Sequence, residues 1–145
     1  MSTEEIIDRI KAIGFMKAID SQLQNKVIDL FRTCSQGSTV KAGTPLFREG
    51  EATTNEGILF LSGTVLIRKA NAPEMEAHAP DLLGEMGQFN PANKRTATVL
   101  AQSDLKVLRF DWKVFYEGAE QKLSQAERGK LSQALQEHAW KHFTE

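Results

Sequence analysis

The chain has 145 residues, of which 41% are hydrophobic and 26% are charged, and its formal net charge is −1. This length predicts a single domain with a core of its own, and the balanced charge gives no sign of the clustered basic surface that nucleic acid binding requires. The short apolar runs, the acidic N-terminus and the single cysteine, Cys34, argue against membrane insertion, a secretory signal and an intrachain disulfide, so we expect a cytoplasmic protein.

Two amphipathic helices are predicted near the N-terminus. Ser2 followed by Glu5 is a capping-box pattern, and it precedes isoleucines at helical spacing, namely Ile6, Ile7, Ile10 and Ile13. Ser21 and Gln24 repeat this pattern before a second apolar periodicity that ends near Thr33. The sequence therefore predicts a helical segment before the first strand.

The middle of the chain changes from helical spacing to short β-prone runs. These runs lie near residues 40–41, 46–48, 58–61, 64–69, 75–79, 95–101 and 105–110. Asn71-Ala72-Pro73-Glu74 predicts a hairpin turn between two of them. Many short strands separated by turns favour a sandwich or a jelly-roll barrel, so the predicted fold class is mainly β with flanking α-helices.

Helical spacing returns after Asp111. Ser124 and Glu127 form a further capping-box pattern, and the helix that they open has one apolar side, made of Leu131, Ala134, Leu135 and Ala139. Gly129 weakens this helix by about 1 kcal/mol relative to alanine, which predicts a bend there.

The remaining histidine, cysteine and aromatic side chains are interpreted as structural and not as functional residues. His138 and His142 share a helix face, but no third metal ligand accompanies them, so we interpret them as surface histidines and predict no metal site. Cys34 is interpreted as a small core residue. Trp140 and Phe143 are expected to pack on the domain, and no catalytic residues are predicted.

The segment from residue 83 to residue 99 carries the chemistry of a ligand site. Gly84 and Gly87 allow a close approach to backbone or ligand, and the first amides of a short turn at Met86 have no helical partner and can face an anion. The planar guanidinium of Arg95 suits phosphate oxygens, whereas the carboxylate of Glu85 accepts hydrogen bonds and suits a sugar hydroxyl. Together these side chains indicate a nucleotide.

This segment resembles the phosphate-binding cassette of cyclic nucleotide-binding domains. In that family a Gly-Glu pair opens a short helix, as at Gly84-Glu85, and an Arg-x-Ala-Thr-Val strand follows, as at Arg95 to Val99. Three flanking stretches also resemble strands of the family, namely residues 42–50, 59–65 and 104–108. The resemblance covers about residues 10 to 125.

The resemblance implies a double-stranded β-helix, a jelly-roll-like β-roll, as the fold. The expected organisation is a single domain with N-terminal helices over residues 1–36, the β-roll over 37–111 with its cassette at 83–99, and C-terminal helices over 112–145. The last helix is expected to act as a lid that covers the base of the ligand.

The resemblance also implies the site and its ligand. Glu85 is expected to bind the ribose 2′-hydroxyl and Arg95 the exocyclic phosphate oxygens, with the remaining contacts from Gly84, Met86, Gly87 and Thr96. The expected ligand is cyclic AMP first and cyclic GMP second, with no cofactor. Ligand binding is expected to change the conformation and to signal to an unidentified effector protein, and homodimerisation stays open.

Particular residues bear on alternative functions. Gln88 stands where the family usually has an apolar residue, and Pro80 replaces a glycine before the cassette; these differences leave open a degenerate domain that only binds proteins. A cupin-type enzyme would need a His-x-His metal set, whereas His78 is the only histidine among the β-prone runs. DNA binding would need a further helix-turn-helix domain and is not expected.

Overall fold

The computed structural model describes the backbone of residues 1–84 and 94–144, and the side chains of residues 1–84 and 94–139. The helices are α1 (Thr3–Lys11), a 3₁₀ helix (Gly14–Ala18), α2 (Ser21–Cys34), α3 (Trp112–Lys122) and α4 (Gln125–Thr144). The strands are β1 (Ser35–Val40), β2 (Pro45–Phe47), β3 (Glu56–Ser62), β4 (Thr64–Arg68), β5 (Met75–His78), β6 (Asp81–Leu83), β7 (Thr98–Ala101) and β8 (Leu105–Asp111). A mainly β fold with flanking helices is therefore confirmed.

The N-terminal helices begin at side-chain caps. The Ser2 hydroxyl accepts a hydrogen bond from the Glu5 amide at 3.1 Å, as the sequence predicts. The predicted cap of α2 was wrong by one residue, because Asp20 and not Ser21 is extended and accepts from the Leu23 amide at 3.0 Å. A carboxylate at this position also interacts favourably with the helix dipole.

Antiparallel strands form two four-stranded sheets in the part of the chain that the structure describes. Sheet I has the order β1-β8-β3-β6, and sheet II has the order β2-β7-β4-β5. The turn between β4 and β5 falls on the predicted Asn71-Ala72-Pro73-Glu74, with Asn71 at a φ of 60°. This arrangement agrees with the expected β-roll.

Two strands begin at other residues than the sequence predicts, and one strand was not predicted. β1 begins at Ser35, before the strand predicted near residues 40–41, whereas α2 ends at Cys34, close to the predicted end near Thr33. β6 was missed, because three residues are too few to show a period. The predicted strand from Arg95 is shorter, since β7 begins at Thr98.

The described residues pack into two apolar cores on opposite faces of sheet I. The inter-sheet core lies between sheets I and II and comprises Val40, Phe47, Ile58, Phe60, Val65, Leu83, Val99, Ala101, Leu105 and Val107. The helix-side core lies between sheet I and the helices, and its sheet members are Leu59, Leu61, Leu82, Leu108 and Phe110. Alternation along β3 and β6 therefore directs successive side chains into different cores.

The C-terminal helices are fixed against the N-terminal ones. Ser124 and Glu127 form the predicted reciprocal capping box, with amide-to-side-chain distances of 2.9 and 3.1 Å. Lys26 of α2 donates to Glu127 at 2.8 Å, and this bond holds the pKa of the Glu127 carboxyl below its usual range. α4 continues as a helix through Gly129. All four residues of its predicted apolar side are buried, and Leu131, Ala134 and Leu135 belong to the helix-side core. None of the described helices is both long and apolar enough to cross a membrane.

Candidate functional site

The two ends of the predicted ligand segment lie beside each other. Gly84 directly follows β6, and Arg95 Nη1 donates to the Gly84 carbonyl oxygen at 3.3 Å. The intervening positions Glu85, Met86 and Gly87 lie outside the described residues. The structure therefore brings together the entry and the exit of the segment, and the roles of the three intervening positions stay predictions.

Gly84 occupies a position that requires glycine. Its φ is +93°, a conformation that side chains with a Cβ rarely adopt. A Cβ atom would lie 2.7 Å from the Glu56 carbonyl oxygen and 3.2 Å from Cζ of Phe47. Gly84 thus lies directly against β3 and the Phe47 ring, which agrees with the close approach expected of this glycine.

The Arg95 side chain is buried, with 8% of its surface exposed. Its guanidinium carbon lies 4.0 Å from the centre of the Phe47 ring, and Nη2 donates to the Thr54 hydroxyl at 3.3 Å. Its backbone is also fixed on both sides, because the Arg95 amide donates to the Glu51 carbonyl at 2.8 Å and the Arg95 carbonyl accepts from the Gly50 amide at 2.9 Å. A cation is therefore held in a defined orientation at the start of the segment that leads into β7.

Thr96 is the neighbour of Arg95 and is half-buried before β7 begins. It belongs to the described end of the segment, directly after Arg95. Phe47 and Thr54, which contact the guanidinium, were not predicted as site residues. Phe47 could have been found only through its place in a family-like strand, and no sequence signal marks Thr54.

His138 is buried, so its interpretation as a surface histidine was wrong. Its Nε2 atom lies 3.2 Å from Oδ1 of Asp81 and 3.3 Å from the Leu82 carbonyl oxygen. The ring also packs edge-on against Phe15, with 5.9 Å between ring centres. Because both neighbours of Nε2 are acceptors, Nε2 carries the proton. Position 138 lies seven residues after Leu131 on the buried face, and this spacing could have revealed its burial.

The structure describes some, but not all, of the other side chains that the sequence analysis singled out. The side chains of Trp140, His142 and Phe143 lie outside the described residues. Within the described ranges no group of three or more metal-ligating side chains occurs. Cys34 is half-buried and packs against the helix-side core, and its burial raises the pKa of the thiol.

Comparisons with known proteins agree with the fold. The family model described as cyclic nucleotide-binding domain matches residues 38–122. Comparison with curated protein sequences finds no significant match.

Three solved structures share the fold. A putative cyclic nucleotide-binding protein from Geobacter metallireducens is 15% identical, with 97% of each chain covered and a TM-score of 0.66. The regulatory domain of Toxoplasma gondii PKA, solved with cAMP, is 21% identical, with 92% of this chain and 49% of that chain covered and a TM-score of 0.64. The sensor domain of the transcriptional regulator DNR from Pseudomonas aeruginosa is 16% identical, with coverage of 89% and 86% and a TM-score of 0.62.

Proposed function

Because the chain belongs to the cyclic nucleotide-binding domain family, we propose that it senses cyclic AMP, with cyclic GMP as the second choice. On this proposal the protein is a regulatory domain, not an enzyme. Ligand binding changes its conformation, and a partner protein reads the change.

The observation that carries the proposal is the buried Arg95 guanidinium beside Gly84. A charge-assisted hydrogen bond to phosphate is about twice as strong as a neutral one, and the guanidinium fork matches phosphate oxygens. Gly84 and Arg95, which flank the predicted phosphate-binding segment, contact each other through this cation. In the proposal, Arg95 binds the exocyclic phosphate oxygens and Glu85 the ribose 2′-hydroxyl. The amides of Met86 and Gly87 complete the phosphate site, together with Thr96.

Transmission to a partner is proposed to run through α4. His138 of α4 contacts Asp81 and Leu82, and the strand that contains them ends beside Gly84. A ligand that binds one arrangement of the segment better than another shifts the population toward it. The helix that contacts β6 is the element most directly placed to respond.

Isothermal titration calorimetry with cyclic AMP and cyclic GMP tests the ligand, with adenosine and 5′-AMP as controls. Arg95→Ala should raise the Kd for cyclic AMP by roughly 10- to 150-fold, because it removes a charge-assisted contact worth about 1.5–3 kcal/mol. Arg48→Ala is the matched control, since Arg48 lies next to Phe47 but its side chain is 66% exposed. It should leave the Kd nearly unchanged.

Binding should also stabilise the fold, by about 2.7 kcal/mol at a ligand concentration of 100 times the Kd. Hydrogen exchange tests the conformational part: amides of α4 should gain protection when cyclic AMP is added. Absence of binding by either cyclic mononucleotide at millimolar concentration would overturn the sensing proposal and favour a domain that only binds proteins. Normal binding with unchanged exchange in α4 would overturn the role of that helix.

A further inference from the structure

The ring of Phe47 lies beside both Gly84 and Arg95. Phe47 is the last residue of β2 and belongs to the inter-sheet core. Its ring centre lies 4.0 Å from the guanidinium carbon of Arg95, and its Cζ atom is the atom that a Cβ at Gly84 would meet at 3.2 Å. Phe47 therefore packs against Gly84 and Arg95 at the same time, on either side of the predicted phosphate-binding segment.

The contact between Arg95 and Phe47 has the geometry of a cation–π interaction. Such interactions form when a guanidinium lies within about 6 Å of a ring centre, and they strengthen when the pair is removed from water. Both side chains are buried here. The ring therefore contributes attraction as well as contact area.

Two further contacts fix the direction in which the guanidinium points. Nη1 donates to the Gly84 carbonyl, and Nη2 donates to the Thr54 hydroxyl. The Thr54 hydroxyl is itself held by the Glu56 amide at 3.2 Å. The ring, the carbonyl and the hydroxyl thus contact the guanidinium from three directions and orient it.

We infer that Phe47 is a positioning residue for the phosphate-binding arginine. Its ring holds the Arg95 guanidinium and the Gly84 turn in one fixed arrangement before ligand arrives. A preoriented side chain loses less conformational freedom on binding, so the ring raises affinity without touching the ligand. This inference rests on the proposed function.

The test compares two identical substitutions in the same core. Phe47→Leu removes the ring beneath Arg95, whereas Phe60→Leu removes a buried ring from β3 in the inter-sheet core. We expect Phe47→Leu to raise the Kd for cyclic AMP by about 2- to 30-fold, the range that cation–π energies imply. Phe60→Leu should lower stability but leave the Kd within about twofold under conditions where both variants are folded. In an Arg95→Ala background, Phe47→Leu should cause no further loss.

A second measurement examines the arginine without ligand. In the ligand-free wild type, the Arg95 side-chain NMR resonances should be shifted by the ring current of Phe47. Phe47→Leu should remove this shift, and Phe60→Leu should retain it. If Phe47→Leu does not fold, Phe47→Met takes its place in both measurements, because methionine fills a similar volume without a ring.

Equal effects of Phe47→Leu and Phe60→Leu on the Kd and on the Arg95 resonances would overturn the inference and leave Phe47 as a core residue only. Failure of the proposed function has a different signature. In that case the wild type binds no cyclic nucleotide, or Arg95→Ala leaves its affinity unchanged, while the resonances still show whether Phe47 positions Arg95.

Discussion

Arg95 and His138 are the buried polar side chains among the residues that the structure describes, and each is 8% exposed. They lie on opposite sides of sheet I. Arg95 packs on a ring of the inter-sheet core, whereas His138 faces a carboxylate and a carbonyl beside the helix-side core. The two side chains are equally buried but have different roles in the structure. The described contacts of Arg95 orient its guanidinium, and those of His138 join α4 to β6.

The two residues also meet at the same short strand. His138 contacts Asp81 and Leu82 at the start of β6, and Arg95 contacts Gly84 just beyond its end. β6 is held in sheet I by pairing with β3. The contacts of these two buried side chains therefore lie at opposite ends of β6: those of His138 join α4 to its start, and that of Arg95 lies three positions after Asp81.

Truncating the helix side should give the largest loss of stability. Leu135→Ala removes a fully buried side chain of α4 and leaves a cavity, so the free energy of unfolding should fall by about 2–5 kcal/mol. Urea denaturation measures this. Leu135 belongs to the helix-side core, whereas the ring that contacts Arg95 belongs to the inter-sheet core, so the Kd for cyclic AMP should rise less than in Arg95→Ala. The comparison breaks if Leu135→Ala weakens binding as much as Arg95→Ala and leaves stability intact.

Replacing the buried histidine should have a smaller effect. His138→Phe keeps a ring beside Phe15 but removes the donor to Asp81 and Leu82, so the free energy of unfolding should fall by about 1–3 kcal/mol. A double-mutant cycle with Asp81→Asn should give a coupling energy of at least about 0.5 kcal/mol. Additive effects of the two substitutions would show that the pair does not join α4 to β6.

The smallest effect concerns Tyr116, and it is confined to alkaline solution. Tyr116 stacks on Trp112 beside the helix-side core, and burial raises the pKa of its phenol to about 12. Because the pKa is raised, the folded state favours the neutral phenol. The contribution to stability is complete below about pH 10, the pKa in the unfolded chain, and is lost as the pH approaches 12.

Absorbance at 295 nm reports this titration directly, since Tyr116 is the single tyrosine of the chain. Circular dichroism at each pH separates ionisation from unfolding. A midpoint near 10 in the folded protein would contradict the packing of α3 against the helix-side core.

The sequence predicted those features that depend on residues close together along the chain. The caps at Ser2 and Ser124, the apolar side of α4 and the glycine requirement at Gly84 each depend on a few neighbouring residues. Arg95 was singled out because it belongs to a motif with fixed spacing. The ligand roles of the predicted site residues stay predictions.

What the sequence did not predict depends on residues that are distant along the chain. The contacts of Arg95 with Phe47 and Thr54 join residues more than 40 positions apart, and no period or motif connects them. The prediction for His138 was wrong because it considered only metal ligation. The spacing from Leu131 indicated a buried position, but the partner, Asp81, lies 57 positions earlier. β6 was missed because a three-residue strand is defined by its pairing with β3 and not by its own pattern.

The alternation along β3 has a consequence for how the protein melts. Ile58 and Phe60 belong to the inter-sheet core, and Leu59 and Leu61 belong to the helix-side core. β3 thus contributes side chains to both cores. If either core loses its packing, β3 is no longer held on that face, and the other core is weakened as well. The two cores should therefore lose structure as one cooperative unit, with a single calorimetric peak.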